Sequence, residues 1–209
     1  ARQVVATPSI VSPSSPSAII QFISSERLRS TPLVEVVTTG SAGFAQDGHV
    51  PPSLSWNFRY RLPEGAPAGR GILRIIGTDL AGNTGRDEGG SLVVDSQPPR
   101  TEFQIGEPRF GSAPLFVRAD TPITFSSQDD ISVSTLTVVV SNAAVRVFRS
   151  TPDASSLIQT LSLHDVPDGP STLSYFAEDH VGNIEPARTL PLTIDSIGPA
   201  ARLVPSRNL

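Results

Sequence analysis

The 209-residue chain has no cysteine, no methionine and no lysine. Without cysteine there is neither a disulfide framework nor a thiolate metal site. Without lysine no Lys–Asn isopeptide bond can staple a domain, and all 16 basic residues are Arg, as in GC-rich coding sequences. Aromatic residues are only 6% of the chain. No apolar run approaches the roughly 18 residues needed to span a bilayer, and no stretch carries apolar residues at helical spacing. The net charge of −4 disfavours a phosphate-binding surface, so neither nucleic acid nor an anionic membrane is expected as a partner. No Asn-x-Ser/Thr acceptor occurs. The first residue is Ala, and no leader segment is visible. A processed product or a piece of a longer chain is therefore expected.

Proline (20) and glycine (16) are abundant, which points to many short strands joined by turns. The chain also repeats with a period of 100 residues. Asp79-Leu80-Ala81-Gly82-Asn83 returns as Asp179-His180-Val181-Gly182-Asn183, and Leu92-Val93-Val94-Asp95-Ser96 returns as Leu192-Thr193-Ile194-Asp195-Ser196. A period of this length signals two copies of a complete domain, each large enough for one small core. The expected organisation is repeat 1 over 1–97, repeat 2 over 98–197, and a tail, 198–209. Leu203 in the tail falls where Phe103 falls in repeat 2. The tail is thus the start of a further repeat or a strand that adds to a neighbouring sheet edge. The prolines of Asp95-Ser96-Gln97-Pro98-Pro99 predict an extended, semi-rigid joint.

Strand patterning supports this reading. Residues 1–17 are expected as a first edge strand or an entry linker, and 18–24 and 33–38 as strands. Residues 40–52 are expected as a Gly/Ser/Asp loop. Leu54, Trp56, Phe58, Tyr60 and Leu62 alternate with Ser55, Asn57, Arg59 and Arg61, which puts five apolar groups on one face. Further strands are expected at 72–76 and 92–94, then at 103–105, 122–126, 135–140, 145–148, 157–163, 172–177 and 190–195. Strands with one apolar face need a second sheet to bury it. The predicted fold is all-β: two tandem Ig-like antiparallel β-sandwich domains in an elongated arrangement, without the immunoglobulin disulfide.

Each Asp-x-x-Gly-Asn motif is expected to follow a strand and to precede a loop of about nine residues. Gly tolerates a left-handed conformation, Asn accepts it better than most, and an Asp carboxylate can take hydrogen bonds from loop amides. Asp79, Gly82 and Asn83, with Asp179, Gly182 and Asn183, therefore read as a structural turn. The alternative is calcium held by oxygen ligands: Asp79, Asp87, Glu88 and Asp95 around the first hinge, and Asp179, Glu185 and Asp195 in the second copy. Asp129-Asp130 places further carboxylates in a different loop. The spacing matches no compact calcium loop.

Together these residues resemble tandem bacterial immunoglobulin-like repeats of secreted and cell-surface proteins. The likeness rests on residues 175–183, Tyr-Phe-Ala-Glu-Asp-His-Val-Gly-Asn, followed by Ile194-Asp195-Ser196-Ile197-Gly198-Pro199. The first copy departs from it, with Gly77-Thr78 before Asp79 and a longer acidic insertion. The resemblance implies a modular extracellular or cell-surface protein, or a periplasmic one. Such modules serve as stalks, adhesin spacers or accessory domains of secreted enzymes, with neighbouring modules, other proteins or further copies of the chain as partners.

No catalytic constellation stands out. His49, His164 and His180 lie at no metal-ligand spacing to one another. Gly77-x4-Gly82-Asn83-Thr84 has phosphate-loop spacing, but Asn83 stands where the lysine would be. The expectation is a structural or adhesive segment and not an enzyme. The alternative is a carbohydrate-binding or accessory module, for which Trp56, Phe58 and Tyr60 would have to be exposed; at alternate positions on a strand they read as core. Thr135, Thr137 and Val139 are expected on an outer face suited to packing on a neighbour.

Overall fold

The computed structural model describes residues 2–38, 41–44, 46–47, 54–142, 145–151 and 154–201. Every regular element among them is a strand. The chain forms two compact units. Unit 1 is Ala1–Pro99 with Glu178–Ile184, and unit 2 is Arg100–Ala177 with Glu185–Leu209. The second Asp-x-x-Gly-Asn turn thus belongs to unit 1.

Unit 1 holds β1 (Arg2–Thr7), β2 (Ile10–Val11), β3 (Ser17–Ile23), β4 (Leu33–Thr38), β5 (Ser41–Phe44), β6 (Gln46–Asp47), β7 (Ser55–Arg61), β8 (Gly69–Thr78) and β9 (Thr84–Val94). One layer runs β1-β3-β7-β6 and the other β2-β9-β8-β4-β5. Period-two alternation on β3, β7 and β8 sends Ile20, Phe22, Trp56, Phe58, Tyr60, Leu73 and Ile75 between the layers. Phe22 stacks on Trp56 and Phe58 with ring centroids 6.4 and 5.9 Å apart. Each fully buried large apolar side chain contributes about 1.5–3 kcal/mol. Leu54, expected on this face, lies before the start of β7 and is exposed.

Unit 2 holds β10 (Arg100–Ile105), β11 (Arg109–Phe110), β12 (Phe116–Val117), β13 (Ile123–Ser141), β14 (Val145–Ser150), β15 (Ala154–Leu161), β16 (Gly169–Asp179) and β17 (Arg188–Ile194). The strands expected at 122–126 and 135–140 are one 19-residue strand, β13. Its first half pairs with β10 and β15 and its second half with β14, so it serves both layers. Between the halves the register shifts at Gln128/Val133, and the Asp129 carboxylate takes the N–H groups of Ile131 and Ser132, both at 2.9 Å. This bulge lets one strand do what β3 and β4 do in unit 1. Leu136, Val138 and Val140 face the core, so Thr137 keeps to the outer face, where it is nonetheless buried. Phe103, Phe125 and Tyr175 meet in the core, with Phe103 and Tyr175 edge to face at 5.5 Å.

Each unit is a two-layer all-β sandwich, and the strands they share follow the same order; among the described residues β6 has no counterpart in unit 2 and β11 none in unit 1. Tyr60 faces Ala18 on the core side, and the equivalent buried pair of unit 2 is Leu161, 101 residues on, facing Ile123, 105 residues on. The period of 100 therefore holds for β16 and β17 against β8 and β9, where Gly69↔Val94 returns as Gly169↔Ile194, and not for the earlier strands. Residues 40–52 are not simply a loop: β5 and β6 lie there, and residues 40, 45 and 48–52, including His49, fall outside the described residues. Residues 1–17 supply two edge strands, β1 and β2. The tail is described only to residue 201, with 198–201 exposed and outside any strand, so Leu203 falls outside the described residues.

Candidate functional site: the Asp-x-x-Gly-Asn turns

The first motif closes the β8–β9 hairpin directly after the Thr78↔Thr84 pair. The backbone N–H of Asp79 donates to the Asn83 carbonyl at 2.9 Å. In return the Asn83 backbone N–H and side-chain Nδ2 donate to Asp79 Oδ1 and Oδ2, each at 2.8 Å. The Asn83 side-chain amide, and then the backbone amides of Asn83, Ala81 and Gly82, hold the Asp79 carboxyl below its ordinary value. Gly82 has φ +96°, a conformation that a side chain strains. The nine-residue loop expected after this motif is instead the first part of β9, because Thr84 to Glu88 continue the ladder with β8.

The second motif repeats the geometry. Asn183 N and Nδ2 donate to Asp179 Oδ1 and Oδ2 at 2.9 and 2.7 Å, Val181 N donates to Oδ1 at 2.8 Å, and Gly182 has φ +83°. Its surroundings differ. The Ser12 and Ser14 hydroxyls both donate to the Val181 carbonyl, at 2.7 and 2.5 Å. Asn183 Nδ2 also reaches the Asp95 and Gln97 carbonyl oxygens at 3.2 and 3.4 Å. Asp179 is buried here, whereas the first turn faces solvent.

Beyond this turn the strand does not resume at once, since Pro186 has no N–H to give a ladder. Glu185 supplies what is missing. Its buried carboxylate accepts the N–H of Ala177 at 2.9 Å and the N–H of Thr101 at 3.1 Å. Arg188 donates to the Thr101 carbonyl at 3.1 Å. Glu185 reads in the sequence as one more carboxylate; its signal is the proline that follows it.

The calcium candidates do not assemble as one group in unit 1. Asp87 and Glu88 lie in mid-β9, and Asp95 follows the end of that strand, roughly 20 Å further along at the rise of an extended chain. Glu88 belongs to an ion-pair row across three strands. Arg74 on β8 lies 3.1 Å from Glu35 on β4 and 2.9 Å from Glu88, which also pairs with Arg86. Both arginines, Arg86 first, hold the Glu88 carboxyl below its ordinary value. Asp95 and Asp179 do approach, each offering a carboxylate oxygen within 4.8 Å of the other. Asn183 Nδ2 donates into both, 3.4 Å from Asp95 Oδ1, and Gln97 N donates to the same Asp95 oxygen at 3.2 Å. Asp195, the repeat partner of Asp95, is exposed after the end of β17.

The aromatic row is closed to ligands. Trp56, Phe58 and Tyr60 are 1–2% exposed, and burial pushes the Tyr60 phenol up. A sugar-stacking platform would need these rings at the surface.

No protein-family model matches the chain, and no curated protein does. Solved structures do resemble it. The fibronectin(III)-like modules of Clostridium thermocellum CbhA match at a TM-score of 0.37 and 11% identity, over 93% of this chain and 95% of that one. A structure from a 1.5-MDa bacterial ice-binding adhesin matches at 0.46 and 14%, over 93% of this chain and 65% of that one. The chicken CNTN1 FN1–FN3 domains match at 0.40 and 11%, over 95% and 67%.

Proposed function

We propose that the chain is a tension-bearing spacer and interaction segment of a bacterial extracellular fibre, stalk or surface assembly, built from two Ig-like repeats over 1–97 and 98–197. The observation that carries this reading is that in each unit a short strand from its N-terminal part pairs in parallel with its last strand. β2 pairs in parallel with β9, Ile10↔Val93 and Val11↔Val94, and β12 pairs in parallel with β17, Phe116↔Thr193 and Val117↔Ile194. In unit 1 the bonds are Val93 N to Ser9 O at 2.9 Å and Asp95 N to Val11 O at 2.8 Å. In unit 2 they are Thr193 N to Leu115 O at 2.8 Å and Asp195 N to Val117 O at 2.9 Å.

Tension along the chain pulls such a parallel pair in opposite directions. The bonds are then loaded together in shear rather than opened one after another, as they would be in a hairpin pulled from its open end. Both units carry this arrangement, which suits a segment that transmits force between neighbours. Forced unfolding is governed by the unfolding rate, so single-molecule pulling on the full chain is the test. Thr193→Pro and Val93→Pro each delete one of these bonds. Each should lower one of the two unfolding forces and leave the other. Unfolding forces that neither substitution moves would remove the support for a force-bearing role.

A further inference from the structure

In unit 1 the outer edge of β7 is covered by β6, through Gln46↔Arg59 and Asp47↔Phe58. Ten residues lie between β5 and β7, enough to carry β6. β15 is the matching strand of unit 2. Only three residues separate it from β14, too few to double back, and among the described residues it pairs with β13 alone. Among the described residues, therefore, no strand covers the other edge of the eight-residue β15.

Exposed edges are usually blunted by charge, proline or shortness. β10 carries Arg100 and Glu102, β14 carries Arg146 and Arg149, and β2, β6 and β11 are two residues long. β15, Ala-Ser-Ser-Leu-Ile-Gln-Thr-Leu, has neither charge nor proline. At its middle Ile158 is 74% exposed. The Thr160 carbonyl is met by the side chain of its own neighbour, Gln159 Nε2 at 3.0 Å, which marks that carbonyl as directed away from β13. Beside the edge a cavity of about 310 Å³ opens, with Phe125, Leu136, Val138, Phe148 and Leu161 as its apolar lining and Gln159, Arg149 and Asp165 among its polar residues.

We propose that β15 is a self-pairing edge: it joins β15 of a second copy of this chain, antiparallel across a two-fold axis, into one continuous sheet. The occupant follows from charge and register. A strand without charge meets its own copy with no like-charge cost, which the arginine-bearing edge of β14 would not. Centring the pair on Ile158 puts Ile158 against its counterpart on the outer face and Ser156 against Thr160. It also sets Leu157 of the second copy beside Gln159 at the mouth of the cavity. An isologous contact of this kind closes as a dimer. The inference deepens the proposed interaction role and names its surface; it does not depend on the pulling behaviour.

The test uses the full chain. Sedimentation should show a monomer–dimer equilibrium. Ile158→Arg should abolish the dimer, and Val147→Arg, on the exposed face of β14, should leave it. Both sites are exposed, and circular dichroism checks that the variants fold. The absence of cysteine allows a second readout: directly opposed residues of a hydrogen-bonded antiparallel pair lie about 5.5 Å apart at Cα, within disulfide range. Ile158→Cys should therefore form a covalent dimer on oxidation, and the equally accessible Phe110→Cys should not. A monomer at every concentration would overturn the self-pairing. So would a dimer indifferent to Ile158→Arg, or equal cross-linking of the two cysteine variants. None of these results would touch the shear-loaded strand pairs, which the pulling experiment addresses separately.

Discussion

Glu185 accepts the backbone N–H of Thr101 at 3.1 Å, a bond between residues 84 apart in sequence and buried in unit 2. With the Ala177 N–H on its other oxygen, this carboxylate ties β10 to β16 where the ladder beyond the second turn has no strand to offer.

Glu185→Ala leaves two buried N–H groups without an acceptor. Each costs about 1–3 kcal/mol, so a large loss of stability in chemical denaturation is expected. Glu185→Gln keeps one acceptor and sets an NH2 group against the other N–H. It should fall between the wild type and Glu185→Ala. A neutral alanine variant would show that the carboxylate is not needed there.

The two turn glycines should respond differently to alanine. At Gly82 a Cβ meets nothing within 4 Å, so only the positive φ costs, about 1 kcal/mol. At Gly182 the Cβ would also lie 2.9 Å from Ser14 Oγ, so Gly182→Ala should cost more. Adding Ser14→Gly to Gly182→Ala should recover part of that excess, whereas added to Gly82→Ala it should recover none. Double-mutant cycles read the coupling.

Acid should weaken unit 1 through Asp79 and Glu88. Both carboxyls sit below their ordinary values of 3.8 and 4.5 in the folded state. A depressed folded value means the unfolded chain binds protons first. The stabilisation is therefore complete above the ordinary values and is lost as pH falls through the lower, folded ones. Asn83→Ala removes the chief cause of the Asp79 shift. Denaturant titrations across this range should show a shallower acid loss for that variant.

The single tryptophan reports on the core. Trp56 emission should be blue-shifted and shielded from quenchers in the folded chain, and soluble glycans should not change it. Trp56→Ala should cost about 3–5 kcal/mol. A glycan-dependent shift of this emission would return the carbohydrate reading to contention.

With amides serving Asp95 and Asp179, calcium is expected to leave the melting temperature where chelator leaves it. A ligand that binds only the folded state would raise it with concentration. A calcium-dependent rise would show that a cation displaces Asn183 from the pair.

Local chemistry was legible in the sequence wherever neighbours along the chain decide the outcome. Alternation sent Trp56, Phe58 and Tyr60 inward because side chains on a strand switch faces at every residue. The Asp-x-x-Gly-Asn turns depend on atoms four residues apart and on a positive φ, so their residue types announce them. The period of 100 was visible for the same reason, as the strands that carry it keep both composition and spacing. What remained hidden depends on partners far away in sequence. The fusion of two expected strands into β13 turns on a bulge at Asp129. The burial of the second turn and the exposure of the first are set by Ser12, Ser14 and Asp95, which no local pattern connects to Asn183. The role of Glu185 depends on an N–H 84 residues away. A sequence determines which face of a strand is apolar and where the chain must turn; only the folded chain decides which carboxylate meets which amide, because those distances are set by the packing of whole sheets.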